Sequence, residues 1–158
     1  FSLFSGFPKH PIIDTIITPL KKKIPNLIAG TNPSKFTIFG REFVFFRDNL
    51  NKKLSKNSIV KCTDITKNNE SYIHTVLCQG NLAPVDLGVS SRIWHLSNSM
   101  IILPLPDVIV LADVVLEFNE KRGNTRVVNP GNFSKDYSFT IIHPIRNEAE
   151  LVKITLNA

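Results

Sequence analysis

The stretch 103–113, "LPLPDVIVLAD", constrains this chain more than any other. Pro104 and Pro106 keep a helix from running into it, and "VIVLA" is apolar without interruption and rich in β-branched residues. A run with no polar alternation is the pattern of a strand buried on both faces. Such a strand sits inside a sheet, and the rest of the chain must supply cover on two sides. At 158 residues, 42% hydrophobic and 20% charged, the chain has the material for one such domain and is not of disordered composition.

Strand signals dominate the surroundings. In "KFTIFGREFVFF", Phe36, Ile38, Phe43 and Phe45 alternate on either side of Phe39-Gly40-Arg41-Glu42, a hairpin whose aromatic density predicts a place in the core. "NLIAGTNP" (26–33) reads as a buried strand broken at Gly30 and Pro33, and "NTRVVN" (124–129) as another. Asn129-Pro130-Gly131 then fits a type II turn, because proline presets φ and glycine accepts a positive φ. Strands over "YSFTIIHP" (137–144) and "AELVKITLN" (149–157) come next. Three helices are expected. "DTIITPLKKKI" (14–24) has Asp14 as N-cap and Ile16, Ile17, Leu20 and Ile24 on one face, shortened or kinked at Pro19. Residues 47–57 form a short polar helix. "NESYIHTVLCQGN" (69–81) turns Tyr72, Ile73, Val76 and Leu77 inward, with Gly80 just past its end. Residues 84–98 are irregular. The fold class is α/β in the sandwich sense, one domain over 1–158 with no repeat and no linker.

The opening "FSLFSGFPKHPII" carries none of the marks of a signal peptide and has no initiator Met, so the chain is expected to be a piece of a longer protein. No apolar run approaches the roughly 18 residues that cross a bilayer. Cys62 and Cys78 match neither a disulfide framework nor zinc spacing, and read as free thiols of a reducing compartment. The net charge of +6 permits an acidic partner or nucleic acid. Its lysines cluster in "PLKKKIP" and "NLNKKLSKNSIVK", however, without interleaved aromatics, and read as solvated helix faces.

No catalytic pattern stands out. There is no G-x-S-x-G, no phosphate-binding G-x-x-x-x-G-K-[ST] and no G-x-G-x-x-G. His10, His74, His95 and His143 are scattered singly, and Asp107 and Asp113 flank "VIVLA" as a Pro-Asp strand start and a polar strand exit.

Several segments, taken in order, resemble a known family. "GTNPSKFTIFGREFVFFRDNLNKKL", "VLCQGNLAPVDLGVSSRIWHL", "LPLPDVIVLAD" and "VVNPGNF" are similar to the C-terminal half of the B subunits of eukaryotic replicative DNA polymerases, over about residues 8–145. The wording of "PDVIVLAD" and "QGNLAP" favours the epsilon branch, with alpha as its neighbour. The resemblance implies a calcineurin-like metallophosphoesterase β-sandwich flanked by helices, present here in its C-terminal portion only. Active relatives carry Gly-His-x-His after the strand that matches "VIVL"; this chain has Ala112, Asp113, Val114 and Val115. A further histidine position is Asn81. Valine offers no lone pair to a divalent ion, so Asn81, Asp113 and Val115 are degenerate metal positions. No catalytic residue, metal or cofactor is expected.

The resemblance further implies a non-catalytic accessory subunit in the nucleus, scaffolding the C-terminal region of the catalytic subunit of DNA polymerase epsilon. It would meet DNA indirectly through the holoenzyme, and no membrane. Asn129, Pro130 and Gly131 would keep the turn that frames the cleft in active relatives. Arg92 and Trp94 are candidate partner contacts, since both residue types concentrate binding energy, although a place for Trp94 in the core explains it equally well. The alternatives are an active metallophosphoesterase with its missing ligands upstream, the B subunit of polymerase alpha, or direct DNA binding through the lysine-rich helices.

Overall fold

The computed structural model describes residues 6–60 and 68–154. In chain order these form α1 (Asp14–Lys23), β1 (Ser34–Ile38), β2 (Arg41–Phe46), α2 (Leu50–Asn57), α3 (Asn68–Gln79) and a 3-10 helix over Trp94–Met100. The second half adds β3 (Val108–Leu111), β4 (Phe118–Arg122), β5 (Thr125–Asn129), α4 (Phe133–Asp136), β6 (Ser138–His143) and β7 (Glu148–Lys153).

Five strands make one mixed sheet in the order β1-β2-β3-β5-β4. β3 pairs in parallel with β2 and with β5, while β1 and β4 close the two edges as antiparallel hairpin partners. The β-branched run is thus the middle strand, and all four of its residues are buried. Its side chains alternate between two cores. Ile109 and Leu111 join Val44, Phe46 and Val127 on the face covered by Leu50 of α2 and by Tyr72, Ile73 and Val76 of α3. Val108 and Val110 join Phe43 on the opposite face, where Ile142 of β6 packs. β6 and β7 form a separate two-stranded ribbon over that face. It is tied down by Asn119 Nδ2 donating to the Ala149 carbonyl at 2.6 Å and Arg126 Nε to the Asn147 carbonyl at 2.7 Å. The layers are therefore helices, sheet, ribbon, the mixed α/β arrangement expected. Each fully buried aliphatic of the middle strand contributes about 1.5–3 kcal/mol.

Five expectations need correction. Asp14 is not the N-cap: Ile13 holds that position, and Asp14 lies inside the first turn, where it pairs with Lys21 at 2.7 Å and complements the helix dipole. Of the apolar stripe on α1 only Ile17 is buried, while Ile16, Leu20 and Ile24 stay about half exposed. Residues 26–33 form no strand. Pro25, Gly30 and Pro33 divide the run too finely for a ladder, only Asn32 bridges to Lys9, and Ile28 is exposed.

The hairpin exists, with Ile38 opposite Arg41, yet its aromatics are only partly core. Phe43 and Phe46 are buried; Phe36 and Phe45 keep nearly two fifths of their surface, stacked 5.1 Å apart on the edge the ribbon leaves open. Gly131 has φ +77°, as the second central position of a type II turn requires. The next element is α4, however, and β6 pairs with β7 instead of returning to β5. Cys62 and the end of the expected last strand lie outside the described residues; Cys78 is a free thiol.

Candidate functional site at the carboxyl edge of the sheet

Because β2, β3 and β5 run in parallel, their carboxyl ends meet at one edge, where Phe46 pairs with Leu111 and Val110 with Val128. Segments 47–51, 112–117 and 129–133 emerge there side by side. This is the edge at which open α/β sheets place ligands, and it holds Asp113 and the Asn129-Pro130-Gly131 turn.

Asp113 is buried, and both of its carboxylate oxygens are engaged. Oδ2 accepts the backbone N–H of Asn51 at 2.7 Å, and Oδ1 accepts that of Val114 at 2.6 Å. Asn51 is the second residue of α2, whose own N-cap, Asn49, makes no side-chain bond. Asp113 therefore caps that helix from another strand. Tyr72 is held well above its usual pKa by burial first and then by the Asp113 carboxylate, its hydrogen-bond partner.

Asn129 is fully buried and ties the same loop from the other side. Its Oδ1 accepts the Asp113 N–H at 3.2 Å, and its Nδ2 donates to the carbonyls of Val115 at 2.9 Å and Leu116 at 3.1 Å. With the loop so held, Val115 packs against the main core. Val114 and Leu116 point outward, 67% and 72% exposed. A Cβ on Gly131 would meet Ser138 Oγ at 2.5 Å and Glu117 Cβ at 3.3 Å, so only glycine lets the turn close against this loop.

Asn81 sits apart from Asp113 in chain and role. It bridges to Ile101, and its Oδ1 accepts the Ala83 N–H at 2.9 Å. At the three positions expected to be degenerate stand a carboxylate already holding two N–H groups, an amide oxygen closing a local turn, and a valine, which has no lone pair to offer. They do not fit a pair of divalent ions about 3.5–4 Å apart. Among the described residues no three His, Cys, Asp or Glu side chains come together. His74 lies 3.4 Å from Cys78 Sγ on α3, and His143 lies 3.4 Å from Glu150 on the ribbon. Asp107 accepts the Glu42 N–H at 2.9 Å and Arg41 at 2.8 Å, locking the start of β3 to the hairpin.

Of the two candidate contacts, Arg92 turns inward, its guanidinium donating to the Ala83 carbonyl and, at 3.4 Å, to that of Val85. Trp94 opens the 3-10 helix and is 78% exposed, so it lies outside the core that the described residues form. A cleft of about 570 Å³ opens between α2, α3 and residues 84–89, lined by Asn51, Asn68, Tyr72, Val85 and Val89. The cap across to Asn51 and the amide role of Asn129 are not legible in the sequence. The only trace of the second was an asparagine placed at a strand end before Pro-Gly.

The chain is similar to known proteins along most of its length. The profile of the family described as the B subunit of DNA polymerase alpha/epsilon matches residues 3–120. The B subunit of DNA polymerase epsilon from Arabidopsis thaliana is 32% identical over 91% of this chain and 28% of its own length. The probable DNA polymerase epsilon subunit 2 of Caenorhabditis elegans is 31% identical over 98% and 31%, and the subunit 2 of Homo sapiens 26% identical over 95% and 29%. The chain thus spans just under a third of the relatives it matches. A solution NMR structure of a Thermotoga maritima protein aligns over 87% of this chain and 58% of that one, at 11% identity and a TM-score of 0.33, too low to fix a fold.

Proposed function

Since the chain belongs to the family of DNA polymerase alpha/epsilon B subunits, we propose that it is part of a non-catalytic accessory subunit of a nuclear replicative polymerase, the epsilon enzyme. In this reading residues 1–158 are a portion of one inactive phosphoesterase-like domain. That domain scaffolds the C-terminal region of the catalytic subunit and meets DNA only through the holoenzyme. One observation carries the non-catalytic part. Where active relatives of the fold present Gly-His-x-His, this chain has Ala112-Asp113-Val114-Val115, and its one carboxylate already caps α2 through the Asn51 N–H. A group bound in that way supports the sheet edge and is not poised to hold a metal-bound nucleophile. Trp94, exposed at the start of the 3-10 helix, suits a partner contact. Arg92 would hold the preceding backbone in place.

Co-purification of the full-length protein with the C-terminal region of the catalytic subunit tests the reading. A stable stoichiometric complex is expected, and a full-length protein that does not bind would sink it. Manganese-dependent turnover of a bis-phosphate ester that vanished on Asp113→Ala would instead establish the enzyme alternative.

A further inference from the structure

We propose that the loop Val114–Glu117, standing where the metal cleft of the fold would be, is a preformed docking point for an apolar partner segment that carries a cation. Three observations meet there. First, the loop is rigid before any partner arrives: the Asp113 N–H, the Val115 carbonyl and the Leu116 carbonyl are all bound by one buried side chain, Asn129, and the Val114 N–H by Asp113 Oδ1. Second, this fixed backbone holds two large aliphatic side chains in water, Val114 and Leu116, each about 70% exposed. Phe133 adds to the same edge two residues beyond Gly131; it is 57% exposed and its ring leans on Tyr137 at 6.3 Å. Apolar groups already ordered lose little further freedom on binding, which is how a few residues come to dominate an interface.

Third, the patch carries an uncompensated negative charge. The Glu117 carboxylate lies against Gly131, its Oε2 is shielded from water, and no donor reaches that oxygen. Among the described residues Glu117 forms no ion pair, and the neighbouring charges on α4, Lys135 and Asp136, offset each other. A half-buried carboxylate without a partner is unfavourable, and a lysine or arginine brought up against it relieves that. The occupant that matches both features is a protein segment with apolar side chains next to a basic one. DNA matches neither, because its phosphates would face Glu117.

This inference rests on the accessory-subunit reading and locates the contact within it. The test uses the full-length protein and the C-terminal region of the catalytic subunit, with affinity measured for three variants. Val114→Ser/Leu116→Ser and, separately, Glu117→Lys are each expected to weaken binding by at least tenfold, with an unchanged melting temperature. Ile16→Ser/Leu20→Ser, on the equally apolar face of α1, is expected to bind as the parent does. A parent that binds while both loop variants bind equally well would overturn the docking point and leave the accessory role standing. A parent that does not bind would overturn both. Loss confined to the α1 variant, or self-association of the protein through the loop, would also overturn it.

Discussion

The Asp113 carboxylate lies 2.7 Å from the backbone nitrogen of Asn51, a residue 62 positions earlier in the chain. One side chain at the end of the middle strand thereby closes the first turn of α2. It joins the sheet to the helical layer at the edge where a ligand site would lie.

Removing that join has a definite expected effect. Asp113→Ala orphans the Asn51 and Val114 N–H groups and is expected to lower stability by about 1–3 kcal/mol. Chemical denaturation of the full-length protein measures it. An unchanged midpoint would mean that α2 does not depend on the cap.

Asn129→Ala is expected to do at least as much harm, because the Val115 and Leu116 carbonyls lose their donor together, at about 1–3 kcal/mol for each buried group left unbonded, while the Asp113 N–H keeps only its bond to the Leu111 carbonyl at 2.8 Å. Asn129→Asp aims a carboxylate at the same two carbonyls and is expected to be no better. Hydrogen exchange over 113–117 would show the loop opening in either variant.

Gly131→Ala tests the turn. An L-residue at φ +77° costs about 1–2 kcal/mol, and the new methyl also meets Ser138 Oγ. A drop in melting temperature is expected, together with greater exposure of β6. The two-residue hairpin loop offers the opposite sign. Phe39 has φ +49°, is 76% exposed and precedes Gly40 at φ +74°. Phe39→Asn supplies the Asn-Gly pair favoured there, and about 0.5–1 kcal/mol of stabilisation is expected.

The acid limb of stability should report on Asp107. Its carboxyl is held below the usual value, first by the Glu42 N–H and then by Arg41. A depressed folded-state pKa gives stability that is complete above the unfolded value of about 3.9 and is lost as pH falls through the folded value. Asp107→Asn is therefore expected to be less stable than the parent at neutral pH and to approach it below about pH 4. Equal separation of the two denaturation midpoints at both pH values would remove Asp107 from the account.

Local patterns carried the sequence reading where the local pattern decides the outcome. "VIVLA" has one plausible use, and the hairpin around Phe39-Gly40, the end of α3 at Gly80 and the core trio Tyr72, Ile73 and Val76 come from spacing alone. Spacing misleads where an apolar residue needs a neighbour that it does not name. Ile16, Leu20 and Phe36 have the right period, but nothing among the described residues covers them well. The site divides in the same way. Asp113 and the Asn129-Pro130-Gly131 turn stand out as residue types at strand ends, whereas the Asn51 cap depends on a contact between segments far apart in the chain.

The parallel pairing of β2 with β3 also sets an order of events at the ribosome. Phe43 must find Val108, made roughly 65 residues later, so at about 5–20 residues per second the first hairpin waits roughly 3–13 seconds for its partner strand. During that interval the apolar sides of Phe43, Val44 and Phe46 lack the middle strand, and among the described residues Phe7 and the helical segments of the crossover are there to shelter Val44 and Phe46. Substitutions that weaken α2 or α3 should therefore reduce the yield of soluble protein during synthesis by more than their effect on the finished fold would suggest.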